Sequence, residues 1–156
     1  MNLYLKRKFL SAVDRFTVYD EAGNKRYTVK GSLWSASRRF CIYDLAGIEC
    51  AVVHPKELSS PPCYKMSRGG VEIGDITRER NLFPQTYTVR GLAWRAVQKM
   101  GEFGEDECEF TDGTRTVVVV SSQCRRYSYE IRIAPDVNEL DALMVALVFD
   151  GLQKSL

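Results

Sequence analysis

The stretch LDALMVALVFDGL, residues 140–152, is the strongest indication of the fold of this chain. Every residue from 142 to 149 is apolar, so a helix over these residues is apolar on all sides. Such a helix is buried inside a protein, and this one is shorter than the roughly 20 apolar residues that a membrane span needs. The sequence therefore predicts a helix enclosed by the rest of the chain, with Asp136 as its N-cap and Glu139 at the capping-box spacing.

The first half of the chain contains a repeat of one β-hairpin. Residues 8–24, KFLSAVDRFTVYDEAGN, align without a gap with residues 32–48, SLWSASRRFCIYDLAGI. The identical pairs are Ser11/Ser35, Ala12/Ala36, Arg15/Arg39, Phe16/Phe40, Tyr19/Tyr43, Asp20/Asp44, Ala22/Ala46 and Gly23/Gly47. Alternating apolar and polar residues with a glycine turn indicate a strand, a turn and a second strand. Phe16 and Phe40 are expected at equivalent inward positions, and Asp20 and Asp44 are expected to brace their turns by side-chain-to-backbone bonds.

Looser copies of the hairpin follow as far as residue 136, which makes ten to twelve antiparallel strands before the helix. A meander of that size hides its edges by closing into a barrel, and such a barrel is too wide to be filled by its own side chains. Over residues 137–153 the helix is roughly 25 Å long at about 1.5 Å per residue, which matches the height of a barrel. The predicted fold is mainly β: a closed antiparallel barrel of about twelve strands around a buried hydrophobic C-terminal helix.

Composition indicates an ordinary globular protein, and residues 1–156 are expected to form one domain. The chain is 45% hydrophobic and 27% charged with a net charge of +2, so composition does not point to nucleic acid as a partner. No apolar run of signal-peptide or membrane-span length is present, and we expect a cytoplasmic protein. The five cysteines, Cys41, Cys50, Cys63, Cys108 and Cys124, have no paired spacing and are expected to be free thiols.

The motifs RFTVYDEAG at residues 15–23 and RFCIYDLAG at residues 39–47, followed by NELDALMVALVFDGL at residues 138–152, resemble the LURP-one-related proteins. These belong with the tubby C-terminal-like and phospholipid scramblase folds. The resemblance covers nearly the whole chain and implies a twelve-stranded barrel threaded by a hydrophobic C-terminal helix. Because tubby domains bind phosphoinositide headgroups and scramblase relatives act at membranes, it also implies a role at lipid. No lipid-contacting residue of tubby matches a motif in this chain, so none is carried over.

The connections between hairpins are rich in arginine. They are SAVDRF at residues 11–16, SASRRF at 35–40, RERNLFPQ at 78–85 and SSQCRRY at 121–127. In a closed meander these connections meet at one end of the barrel. The candidate residues for binding an anion or a lipid headgroup are Arg15, Arg38, Arg39, Arg80, Arg125 and Arg126, with Trp34 and Phe83 beside them. Arg78 is expected at the same end, and an ordinary solvated rim is the alternative interpretation.

Catalytic and metal-binding patterns are missing from the sequence. The single histidine, His54, lies at a predicted strand end, and its pairing with Cys50 supplies only two ligands, fewer than a zinc site needs. We therefore expect no enzyme, no cofactor and no metal. Two hypotheses stay open: a cytosolic module that binds anionic phospholipid or phosphoinositide headgroups at the periphery of a membrane, and a protein-interaction or scaffold domain without lipid binding. An apolar-ligand carrier is disfavoured because the helix fills the cavity.

Overall fold

The computed structural model describes residues 1–8, 13–32, 39–56, 58–79, 84–100, 106–122 and 127–154. Within them, twelve strands are followed by one helix. The elements are β1 (Asn2–Lys8), β2 (Val13–Tyr19), β3 (Lys25–Ser32), β4 (Phe40–Tyr43), β5 (Glu49–Pro55), β6 (Cys63–Arg68), β7 (Val71–Arg78), β8 (Thr86–Arg90), β9 (Trp94–Met100), β10 (Asp106–Thr111), β11 (Thr116–Ser121), β12 (Tyr129–Ile133) and α1 (Glu139–Lys154).

The strands form a closed antiparallel barrel in sequence order. The first strand closes it against the last, with Leu3 opposite Ile131 and Leu5 opposite Tyr129. Closure leaves no strand edge with unpaired backbone groups, so the barrel cannot add further strands. The prediction of a closed hairpin meander is confirmed.

The two ends of the barrel differ in what joins the strands. Tight turns connect β2 to β3, β4 to β5, β6 to β7, β8 to β9 and β10 to β11, and the chain passes from β12 to α1 at this same end. We call it the turn end. The opposite end, where β1 ends and β2 begins, is called the linker end. The helix therefore starts at the turn end and runs towards the linker end.

The helix lies in the interior of the barrel. All residues from 142 to 149 are buried, and Leu143, Leu147 and Val148 are fully buried. The ring of Phe149 makes edge contacts with Tyr87 of β8 at 6.3 Å and Tyr129 of β12 at 6.4 Å between centroids. At its other end the helix contacts β3, where the Tyr27 hydroxyl donates to Glu139 at 2.5 Å. Contacts to strands on several sides of the barrel confirm that the apolar helix fills the space the strands enclose.

The start of the helix differs from the sequence prediction, because Asn138 and not Asp136 is the N-cap. The Asn138 Oδ1 atom accepts hydrogen bonds from the backbone N–H groups of Leu140 at 2.9 Å and Asp141 at 3.4 Å. Asp136 occupies the turn after β12 with a φ of 67° and forms an ion pair with Arg115 at 3.0 Å. The turn uses two more residues than expected, so Glu139 becomes the first residue of the helix and contacts β3 instead of forming a capping box.

Burial of Asp141 in the first turn of α1 predicts a pH effect on stability. Burial raises the pKa of Asp141 above its ordinary value of 3.8, although Arg68 at 3.2 Å opposes the shift. The unfolded chain then loses this proton at a lower pH than the folded chain, so the ionised carboxylate lowers the free energy of unfolding as the pH rises through that window. Asp141→Asn cannot titrate. We therefore expect the difference in melting temperature, Asp141→Asn minus the unsubstituted protein, to rise as the pH increases from about 3 to about 7. A difference that falls with pH would contradict the burial effect.

The repeat in the sequence is a repeat in the structure. Phe16 and Phe40 are both buried in the core, and each lies on the strand that precedes a tight turn. In those turns the Oδ1 atoms of Asp20 and Asp44 each accept two backbone N–H bonds, at 2.9–3.0 Å for Asp20 and 2.9 Å for Asp44. Both predictions for these pairs are confirmed.

Candidate functional site

The structure describes two of the eight candidate residues, and both are exposed. Arg15 lies near the start of β2, and Arg39 lies immediately before β4. Both positions are at the linker end, as predicted. The other six candidates, Trp34, Arg38, Arg80, Phe83, Arg125 and Arg126, lie outside the described residues. Arg78 is at the linker end, where it was expected, on the inward face and directly opposite the buried Tyr87.

Alternation along the strands directs Arg15 to the outside of the barrel. Phe16 of β2 and Val29 of β3 are opposite each other and fully buried. Their neighbours Arg15 and Lys30 therefore point outward, since successive side chains of a strand face opposite sides. These two residues are themselves directly opposite each other. On the next strand, β4, Cys41 lies opposite Lys30. The Lys30 Nζ atom is 5.1 Å from the centre of the Tyr43 ring.

The outer faces of β1 to β4 thus carry a group of exposed cations, which we call the basic wall. Its members are Lys6, Arg15, Lys30 and Arg39. The Cα atoms of Lys8, Arg15 and Lys30 are direct partners across three adjacent strands. Like charges placed directly opposite each other destabilise a sheet, so this arrangement does not serve the stability of the barrel. Lys6 and Lys30 were not among the candidates from the sequence. Alternation around Val29 was the signal that could have placed Lys30 on the outer face, but its position opposite Arg15 depends on the bulge between Val18 and Tyr19.

The cations on β8 to β12, and Arg115 in the turn before β11, are in a different situation, because acidic residues pair with them. The ion pairs there are Arg90–Asp75 at 2.9 Å, Arg95–Glu79 at 3.4 Å, Lys99–Glu109 at 3.3 Å, Arg115–Asp136 at 3.0 Å and Arg132–Glu107 at 3.5 Å. Hydrogen bonds from Thr88 and Thr86, and then the charge of Arg95, lower the pKa of Glu79.

No member of the basic wall forms an ion pair with another residue in the part of the chain that the structure describes. Among the described side chains, none of the outward residues on β1 to β4 is a carboxylate. The two sides of the barrel therefore differ in charge balance far more than the net charge of +2 suggests. An unneutralised group of cations on one side is the arrangement that attracts an anionic surface.

Three aspartates of the turn end have structural roles. Asp20 and Asp44 brace their turns, and Asp112 does the same between β10 and β11. Bonds from the backbone and side chain of Thr114, then from the Arg115 backbone, lower the pKa of Asp112 to about 2. Backbone N–H groups of the turns therefore occupy one oxygen of each of these carboxylates.

The cysteines and the histidine form no reactive centre in the described residues. Cys41, Cys50, Cys63 and Cys108 are free thiols, while Cys124 lies outside the described residues. Burial raises the pKa of the Cys108 thiol and of Cys50, which keeps both protonated and poorly nucleophilic. His54 of β5 is partly exposed and opposite Lys65. No group of three or more potential metal ligands occurs among the described residues.

The closed twelve-stranded barrel around a central helix is the fold that the sequence motifs implied. The chain belongs to the LURP-one-related family, whose model matches residues 1–150. It is 26% identical over 152 residues to the uncharacterized protein YxjI of Bacillus subtilis (strain 168), and the alignment covers 96% of this chain and 92% of the Bacillus protein. No solved structure matches the chain. Within the described residues, no helix has the length and apolar character required to cross a membrane.

Proposed function

We propose that this protein is a non-enzymatic cytoplasmic domain that binds anionic phospholipid headgroups, phosphoinositides among them, through the basic wall. The observation that carries the proposal is the contrast between the two sides of the barrel. Cations on β8 to β12 are neutralised by acidic neighbours, whereas Arg15 and Lys30 face each other and form no ion pair with any described residue. The sequence adds Arg38, Arg80, Arg125 and Arg126, which lie outside the described residues.

The magnitude of the attraction is sufficient for measurable binding. Each basic residue close to an anionic bilayer contributes about 1 kcal/mol, so four together contribute on the order of 4 kcal/mol, nearly a thousandfold in partitioning. The attraction fades within a Debye length of about 10 Å at about 0.1 M salt, so binding of this kind weakens as salt is added.

Reversal of two wall charges tests the proposal. We expect Arg15→Glu/Lys30→Glu to lower the partitioning onto vesicles of phosphatidylglycerol and phosphatidylcholine by at least about tenfold, measured by co-sedimentation at low salt. The melting temperature should change little, because exposed charges contribute little to stability and the double variant keeps two like charges at these opposite positions.

The control is Arg95→Glu/Lys99→Glu, which changes the net charge by the same amount on the far side of the barrel. It should retain binding. Equal loss in both variants would show that only net charge matters, and a protein that ignores anionic vesicles at low salt would leave the protein-interaction or scaffold alternative in place.

A further inference from the structure

The turn between β4 and β5, residues 44–48, presents two large apolar side chains to solvent. Leu45 is 69% exposed and Ile48 is 63% exposed. The backbone of the turn is well held: Asp44 N–H donates to the Ile48 carbonyl at 3.0 Å, and Gly47 N–H donates to the Asp44 carbonyl at 3.1 Å. The side chains are therefore displayed on a rigid turn.

The preceding hairpin supplies an internal control for this turn. Residues 20–24 make the same bonds, with Asp20 N–H donating to the Asn24 carbonyl at 2.9 Å and Gly23 N–H donating to the Asp20 carbonyl at 3.1 Å. The two glycines have nearly the same φ, 83° and 81°. Where the second turn has Leu45 and Ile48, the first has Glu21 and Asn24. The geometry of the turn therefore does not require apolar residues at these positions, and their exposure calls for another reason.

The surroundings of Leu45 combine apolar and cationic groups. A shallow cleft of about 280 Å³ lies on the outer face of β3 and β4, and Leu45 borders it together with Lys25, Thr28, Lys30 and Tyr43. Lys30 is a member of the basic wall, so the wall and the exposed turn border one continuous surface. Asp44 is the carboxylate at this cleft, and its Oδ1 atom already accepts two backbone N–H bonds of the turn.

We propose that the β4–β5 turn is a membrane-inserting element: Leu45 and Ile48 enter the interfacial layer of an anionic bilayer while Lys25 and Lys30 bind lipid phosphate groups in the adjacent cleft. This inference rests on the proposed function and adds the orientation of the bound barrel. A bilayer surface is anionic at its headgroups and apolar just below them, so it complements cations placed beside a projecting apolar turn. The barrel then lies with β1 to β4 against the membrane and the turn as its apolar anchor.

The test replaces the apolar pair by polar residues that the same turn tolerates. We expect Leu45→Gln/Ile48→Asn to lower partitioning onto phosphatidylglycerol/phosphatidylcholine vesicles about tenfold or more, since two large apolar side chains no longer leave water. The loss should persist at high salt, where the contribution of the lysines is screened. Val97→Asn removes an exposed apolar side chain from β9 on the far side of the barrel and should bind as the unsubstituted protein does.

A direct measurement of depth compares the β4–β5 turn with β9 on the far side of the barrel. Tryptophan fluorescence of a Leu45→Trp variant should be quenched by vesicles containing brominated lipid, beyond the quenching of the unsubstituted protein. A Val97→Trp variant, at an exposed position of β9, should show no such increase.

Each outcome separates this inference from the proposed function. If Arg15→Glu/Lys30→Glu loses binding while Leu45→Gln/Ile48→Asn keeps it and Leu45→Trp is not quenched, the insertion is wrong and lipid binding by the wall stands. If the unsubstituted protein binds no anionic vesicles, the proposed function itself fails. If Leu45→Gln/Ile48→Asn turns a dimer into a monomer in sedimentation without lipid, a second copy of the chain covers the turn and the insertion is overturned.

Discussion

Leu147→Asp is expected to yield no soluble folded protein. Leu147 is fully buried in the middle of α1, in a run where all residues from 142 to 149 are buried. An uncompensated charge in such a place costs several kcal/mol, against a total stability of about 5–15 kcal/mol for a domain. The inward side chains of the described strands around the helix are mainly apolar. Expression in soluble form and a thermal melt followed by circular dichroism measure the effect.

The matched control is Leu147→Met, which nearly conserves volume and should cost less than about 1.5 kcal/mol. If this variant melts cooperatively while Leu147→Asp aggregates, the buried charge is the cause. A Leu147→Asp protein that stayed monomeric with an unchanged melting curve would contradict a helix enclosed by the barrel.

Phe16→Ala is expected to lower the free energy of unfolding by about 3–5 kcal/mol, the range for deletion of a buried phenyl ring. Phe16 is fully buried between Arg7 of β1 and Val29 of β3 in the cross-strand register, and the Arg7 guanidinium lies 5.0 Å from the ring centre. Removal of the ring leaves a cavity between β1, β2 and β3. Urea denaturation gives the size of the change.

Phe40→Ala tests whether the two copies of the repeat contribute equally to stability. Its loss of unfolding free energy should fall in the same range, because Phe40 is also buried. Arg15→Ala is the control on the same strand as Phe16. Its exposed side chain forms no ion pair among the described residues, so its effect should stay within about 0.5 kcal/mol. A Phe16→Ala protein as stable as Arg15→Ala would mean that the ring is not part of the core.

Much of the fold followed from the sequence because its signals are local. Alternation along RFTVYD and RFCIYD requires only neighbouring residues to show which side chains face inward, and the buried Phe16 and Phe40 bear this out. The aspartate–glycine turns at residues 20–24 and 44–48 depend on bonds within five residues. The apolar run from 142 to 149 has too little polar surface to lie anywhere but inside.

The start of the helix was predicted from a local pattern, but at the wrong residue. Asp136 and Glu139 match a capping box in spacing, but the turn after β12 is held by Val137 N–H donating to the Ala134 carbonyl at 3.3 Å. That turn, and the ion pair of Asp136 with Arg115, use contacts to another part of the barrel. The capping position depends on where β12 ends. The sequence pattern of the helix carries no information about that point.

The candidate site depended on the tertiary structure. The sequence pointed to arginines in the connections between hairpins, of which Arg15 and Arg39 are described. It did not show that Lys30 stands directly opposite Arg15, because cross-strand register comes from backbone hydrogen bonds, turn lengths and bulges between strands. Nor could it show which cations are neutralised, since Arg95 and Glu79, or Arg132 and Glu107, come together only when the barrel closes. Which side chains face the core followed from the sequence, because alternation is a property of a single strand. Which outward charges lie close together followed from closure of the barrel, because Coulomb energy depends on the distances between strands.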